Sequence, residues 1–183
     1  MSRAFVLSFW LIAFAVSAFS QNGIPEPTGY RMQDYRGPTP TSLAGARVIT
    51  TREAEELWKG GAAFVDVLPH PPRPANLPPG MIWHEKPHMD IPGSIWLPDT
   101  GYGALASSTE RYLRDGLTRI TQGDQSRWLV VYCQKDCWMS WNAAKRALAM
   151  GYSNVAWYPD GIDGWEFADL PLQQSTPAAA SNE

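Results

Sequence analysis

Trp128-Leu129-Val130-Val131-Tyr132-Cys133-Gln134-Lys135-Asp136-Cys137-Trp138-Met139-Ser140 is the stretch that decides the fold. Its first five residues are apolar or aromatic without alternation, which predicts a strand buried on both faces, as in a parallel sheet. The strand ends at Cys133. From about Ser140 the spacing of Ala144, Ala147 and Leu148 predicts a helix running to a Gly151 cap. A strand that feeds a helix through a short loop is half of a right-handed crossover unit, and sheets built from such units carry their functional crevice beyond the carboxyl ends of the strands. Cys133 stands at such an end.

The same alternation extends to both sides. Ala46-Arg47-Val48-Ile49 predicts a short strand, and Thr50-Thr51-Arg52-Glu53 a capping box for a helix with Ala54, Leu57 and Trp58 on one face, stopped by Gly60-Gly61. Ala62 to Leu68 is a second continuous apolar run, interrupted only by Asp66. Residues 69–92 hold eight prolines, so neither helix nor central strand persists there and an ordered loop or lid is expected. Ser94 to Leu97 predicts another strand. Ser107-Ser108-Thr109-Glu110 then opens a capped helix with Leu113, Leu117 and Ile120 inward until Gly123. Asn154 to Tyr158 predicts a last strand, with Pro159-Asp160-Gly161 as a turn. The sum is an α/β domain with a mainly parallel central sheet and helices on both faces.

The ends differ from this pattern. After Arg3, residues Ala4 to Phe19 are an unbroken apolar and small-residue run, and Ala18-Phe19-Ser20 offers small side chains for cleavage after Ser20. That reads as a secretory signal at 1–20, with an uncut membrane anchor as the rival reading. Residues 21–45 form a proline-rich leader, extended or laid across the domain surface; 46–172 is the domain, and 173–183 is expected to be a flexible tail. Export is expected to place the mature chain in an oxidising compartment. Without the signal, 14 basic residues face 18 acidic ones, with no basic cluster to neutralise a phosphate backbone, so nucleic acid is excluded as a partner. Membrane contact is expected only through the signal segment if uncut.

The Cys133 loop, with Ser140 seven positions on and Asn142-Ala143-Ala144 after it, resembles the active-site loop of rhodaneses. Val65-Asp66-Val67, Ile91-Pro92-Gly93-Ser94-Ile95 with Leu97-Pro98, and Gly161-Ile162-Asp163-Gly164-Trp165 with Leu170-Pro171 resemble further rhodanese segments in the same order. Cys133-Gln134-Lys135-Asp136-Cys137-Trp138-Met139-Ser140-Trp141-Asn142 is also similar to the signature of the CxxxCW-motif proteins associated with pyrroloquinoline-quinone-dependent catabolism. Pro78-Pro79-Gly80, Gly101-Tyr102-Gly103-Ala104-Leu105 and Trp157-Tyr158-Pro159-Asp160-Gly161 share that similarity. The resemblance implies a rhodanese-like fold, a Cys133 thiolate that can hold sulfane sulfur, and a periplasmic quinoprotein dehydrogenase or cytochrome as partner. It implies a pathway, PQQ-dependent alcohol oxidation, more directly than a reaction.

The loop departs from rhodaneses in three respects: it is one residue longer, Met139 stands where an arginine usually precedes the serine, and Cys137 lies inside it. Loss of the arginine weakens anionic substrates such as thiosulfate. Backbone N–H groups at the start of the following helix favour a thiolate at Cys133, with Lys135 helping and Asp136 opposing. Gln134, Lys135, Asp136, Trp138, Met139 and Ser140 are thus expected to surround and stabilise it, and Asp66, Trp141 and Asn142 to shape a pocket. A Cys133 persulfide would be attacked by Cys137, giving sulfide and a disulfide.

Several readings stay open. Cys133 is the nucleophile and Cys137 its resolving partner in thiol redox or sulfur transfer; or the two form a static disulfide in a non-catalytic binding or assembly module; or they capture a metal. Two thiolates alone make an incomplete zinc or copper site, and no metal or cofactor is assigned. His84 and His88 are separated by Pro87 from any regular helix, so they read as loop histidines, and His70 as a surface residue. Asp160 and Asp163 lack the spaced oxygen ligands of a calcium loop.

Overall fold

The computed structural model describes residues 23–84 and 86–180. The expected signal at 1–20 lies outside the described residues. Among the described residues no helix is long and apolar enough to cross a membrane.

Chain order is β1 (Arg47–Val48), α1 (Thr51–Lys59), β2 (Ala63–Asp66), β3 (His88–Asp90), β4 (Ile95–Trp96), α2 (Ser107–Thr121), β5 (Leu129–Tyr132), α3 (Trp138–Ala149), β6 (Val155–Tyr158), α4 (Gly161–Phe167) and β7 (Gln173–Ser175). Five strands make one sheet in the order β1-β6-β5-β2-β4, every pairing parallel. The three central strands are buried at every position, because their side chains leave the sheet alternately toward two helical layers. Ala63, Val65, Leu129, Val131, Val155 and Trp157 pack with α2 and α3 through Leu113, Leu117, Trp141, Ala144 and Ala147. Phe64, Val130, Tyr132, Ala156 and Tyr158 pack on the opposite side with Ala54 of α1 and Trp165 of α4.

The capping box of α1 forms as read: Glu53 N–H donates to Thr50 Oγ1 at 3.4 Å and Thr50 N–H to Glu53 Oε2 at 2.9 Å. At α2 the box does not close. Ala106 is the N-cap and no side chain caps it; the first helical bond is Glu110 N–H donating to Ala106 O. Helix α3 starts at Trp138, two residues before Ser140, which makes Cys137 its N-cap. The Pro159-Asp160-Gly161 turn opens directly into α4, a short helix invisible to apolar periodicity because glycines hold two of its seven positions.

Both flanks are attached. Of the two leader readings, the structure takes the one laid on the surface: Tyr35 O accepts from Trp138 N–H and Gly37 N–H donates to Asp136 O, both at 2.9 Å. Residues 173–180, expected as part of a flexible tail, are a correction. β7 pairs antiparallel with β3, and Ala178 N–H donates to Trp96 O at 2.9 Å. The exposed backbone of β3 and the outer edge at β4 find partners there, which composition alone does not announce.

Candidate active site at the cysteine loop

The loop from β5 to α3 carries Cys133 and Cys137, 0% and 2% exposed, both free thiols. Its shape is held from below by α4. Ile162 N–H donates to Cys133 O at 2.8 Å and Lys135 N–H to Asp163 Oδ2 at 2.8 Å. Gly161 has φ +53°, and a Cβ there would run into the Cys133 carbonyl, so only glycine fits. From above, the leader residue Arg36 pairs antiparallel with Cys137, and its guanidinium donates to Lys135 O at 3.0 Å.

The electrostatics favour a thiolate at Cys137 over one at Cys133, where the sequence placed it. Cys137 is held at about 7 by a hydrogen bond from the Cys133 thiol, by the N–H groups of Met139 and Ser140 and by the charge of Arg36, against the cost of its burial. Cys133 is pushed well above its ordinary value by complete burial, and then by the hydrogen bond to Cys137 and that neighbour's charge. Its S–H also lies 3.6 Å from Gln134 O and 3.7 Å from Cys137 O, acceptors that favour a protonated thiol. The amide cradle therefore exists, but it faces position 137. The sequence aimed it four positions earlier, at the end of the strand; with Cys137 as the N-cap, the free amides of the first turn converge there.

Around this pair the predicted residues separate. Ser140 Oγ donates to Cys137 O at 3.1 Å and accepts from Trp157 Nε1 at 3.1 Å, deep under the loop. Gln134 and Met139, together with Asp34, Tyr35, Arg36, Pro69 and Tyr102, line a cavity of about 480 Å³ that reaches Cys137. Lys135 and Asp136 are exposed, and Asp136 takes φ +54° in the turn. Trp138, Trp141 and Asn142, proposed around the loop or as pocket walls, instead bind the leader. Trp138 Nε1 donates to Pro38 O and Trp141 Nε1 to Ser42 O, each at 3.1 Å. The Asn142 amide receives Arg31 N–H and donates to Arg31 O and Gly101 O, all at 2.9 Å. Sequence reasoning missed Tyr35, Arg36 and Tyr102, since nothing local ties them to a loop 31 to 102 positions away. Arg36 brings a guanidinium to a loop whose own arginine position is Met139.

Asp66 does not line that cavity either. It sits at the end of β2 with Asp90 and His88, whose Nε2 is 2.8 Å from Asp66 Oδ2 and 3.2 Å from Asp90 Oδ1. Burial pushes Asp66 up to about 7 against the hydrogen bond from His88. Burial also works against the imidazolium of His88, yet the two carboxylates outweigh it and lift His88 to about 9.

Residues 50–168 match the Rhodanese family, described as the rhodanese-like domain. No curated protein matches the chain. Among solved structures it is similar to a thiosulfate sulfurtransferase from Pseudomonas aeruginosa, at 21% identity and TM-score 0.49 over 74% of this chain and 22% of that one. This chain thus spans about a fifth of that enzyme's length. It is also similar to the polysulfide-sulfur transferase homodimer from Wolinella succinogenes, at 17% identity and TM-score 0.45 over 73% of this chain and 82% of that one. The rhodanese-like domain of an Anabaena protein follows at 14% identity and TM-score 0.44, covering 77% of this chain and 90% of that one.

Proposed function

The chain belongs to the rhodanese-like domain family, and from that premise we propose that it is a periplasmic thiol-redox protein in which Cys137 attacks and Cys133 resolves. The observation that carries this reading is the asymmetry of the pair. Cys137 borders the cavity with its thiolate favoured, while Cys133 lies behind it, fully buried and protonated. A partner can meet the first sulfur; only the first sulfur can meet the second.

The Cys137 thiolate attacks one sulfur of a partner disulfide, forming a mixed disulfide as the partner's own S–S bond breaks and its second sulfur leaves as thiolate. That thiolate takes a proton from solvent; the Cys133 thiol loses its own proton to solvent through the loop and attacks the Cys137 sulfur. The Cys133–Cys137 bond forms, the mixed bond breaks, and the partner leaves reduced by two electrons while the pair is oxidised. A sulfane sulfur taken up at Cys137 meets the same end, released as sulfide when Cys133 closes the disulfide. The missing loop arginine and the buried second thiol both disfavour a long-lived persulfide and a small anionic donor.

Export is supported by the apolar run Ala4 to Phe19 behind Arg3, and a quinoprotein dehydrogenase or cytochrome of PQQ-dependent alcohol oxidation, as partner, by the motifs around Cys133 to Asn142. The competing reading is a silent binding module stapled by the same two cysteines. Trapping separates the two. With an oxidised thiol partner, Cys133→Ser should accumulate a mixed disulfide at Cys137 by acid-quench mass spectrometry, and Cys137→Ser should accumulate none. A redox couple above about −250 mV accompanies cycling, and one below about −300 mV a staple. Trapping at Cys133 in Cys137→Ser, with none in the reverse variant, overturns the assignment.

A further inference from the structure

Asp66, His88 and Asp90 come from two separate segments, the end of β2 and the short β3, and meet beside Trp96, against whose ring His88 stacks with centroids 3.7 Å apart. One ligand atom from each residue lies within 4.8 Å of the others. The side chains of Asp66 and Asp90 are 1% and 2% exposed, and that of His88 13%.

Hydrogen bonding leaves this cluster incomplete. Asp66 Oδ1 accepts Leu68 N–H at 2.7 Å and Oδ2 faces His88. Asp90 Oδ1 faces His88 and lies 3.2 Å from the Tyr132 hydroxyl. Asp90 Oδ2 is buried with no hydrogen-bond partner. The Asp66 carboxyl and the Ser175 hydroxyl lie close enough to hold the Asp90 carboxyl down without meeting Oδ2 in a hydrogen bond. A buried, unpartnered carboxylate oxygen costs on the order of 1–3 kcal/mol or more, so its presence calls for a ligand.

We propose that Asp66, His88 and Asp90 form a binding site for a borderline divalent metal ion, of which zinc is the test case. One imidazole nitrogen and two carboxylate oxygens suit such an ion better than magnesium or calcium, which prefer oxygen throughout. The His88 separations of 2.8 and 3.2 Å are already near the spacing of ligands around an ion bound at about 2.0–2.2 Å. Leu68 N–H and the Tyr132 hydroxyl hold the carboxylates from behind, as outer partners of metal ligands do. On the open side a cavity of about 210 Å³, lined in part by His70, His88, Trp96 and Thr176, gives an entry path and room for a water or substrate ligand. Lys86 at its rim is exposed, so its opposing charge is screened by solvent.

The site is separate from the cysteine pair, and the experiment must keep the two apart, because zinc also binds thiolates. Metal-stripped whole protein titrated with zinc should take up one equivalent with magnesium and calcium in excess. X-ray absorption of the loaded, unmodified protein should show nitrogen and oxygen scatterers at about 2.0–2.1 Å and no sulfur at about 2.3 Å. His88→Asn and Asp90→Asn should weaken uptake by roughly 100-fold or more, since even outer-partner changes cost about 10- to 100-fold, while Cys137→Ser leaves it unchanged. Sulfur in the absorption spectrum, loss of uptake in Cys137→Ser, or no uptake at all by the native protein overturns the proposal. The spectrum decides the matter even where a variant fails to fold.

Discussion

Replacing Cys133 by alanine removes the largest single influence holding the Cys137 thiol down, the hydrogen bond from its neighbour, and leaves the Met139 and Ser140 amides and Arg36 in place. A hydrogen bond to a charged acceptor is worth on the order of 1.5–3 kcal/mol, and about 1.4 kcal/mol corresponds to one pH unit, so the Cys137 midpoint should climb from about 7 by roughly one to two units. At pH 7 its thiolate fraction then falls from about one half to somewhere between about 1% and 10%. Reaction rate falls less, because a more basic thiolate attacks faster by about three- to tenfold over that span, leaving a net loss of about two- to sixfold. Above pH 9 the order should invert. The assay is carbamidomethylation of Cys137 followed by mass spectrometry from pH 5.5 to 10, with thiolate ultraviolet absorbance as a readout independent of reagent access. A native midpoint at the ordinary thiol value, an unmoved midpoint in Cys133→Ala, or first modification at Cys133 would refute the reasoning.

Three other outcomes follow from the same loop and its surroundings. Because the folded Cys137 loses its proton more readily than the unfolded one, its contribution is present above the unfolded value near 9 and lost as pH falls through about 7. Reduced protein should therefore gain up to about 2–3 kcal/mol in urea titrations between pH 7 and 9, and buried Cys133 should turn the curve down above that. Gly161→Ala forces a Cβ onto the Cys133 carbonyl at positive φ and should cost roughly 2–4 kcal/mol in the same titrations, whereas a change of under about 0.5 kcal/mol would mean that the loop is not so confined. Asn142→Ala strips two leader contacts and one to Gly101, so proteolysis between residues 31 and 37 should accelerate by tenfold or more; equal rates would show that the leader is held elsewhere.

The sheet was legible because burial on both faces leaves a mark in every strand: Phe64 and Val65, or Val130 and Val131, point to opposite helical layers and must all be apolar. The cysteine loop was legible because the strand before it and the helix after it are strong local signals. What was not legible is non-local. The thiolate was expected at Cys133 because the loop amides were taken to face the end of the strand, while the helix that starts at Trp138, with its first amide donating to Tyr35 O from across the chain, makes Cys137 the N-cap. Trp141 and Asn142 carry the polar handles of pocket residues and spend them on the backbone of the leader. His88 looked like a loop residue because Pro87 breaks its local context, and its partner Asp66 is 22 positions away.

The hydrogen bonds joining residues 35–37 to 136–138 close a circuit of about a hundred positions, the slowest kind of contact for a chain to find. Until that circuit closes, Arg36 is elsewhere and the first amide of α3 lacks its acceptor, so the Cys137 thiolate is without the one positive charge that favours it. The last of the charge that tunes this sulfur is thereby left to the finished molecule, and arrives only when residues 35–37 have met residues 136–138.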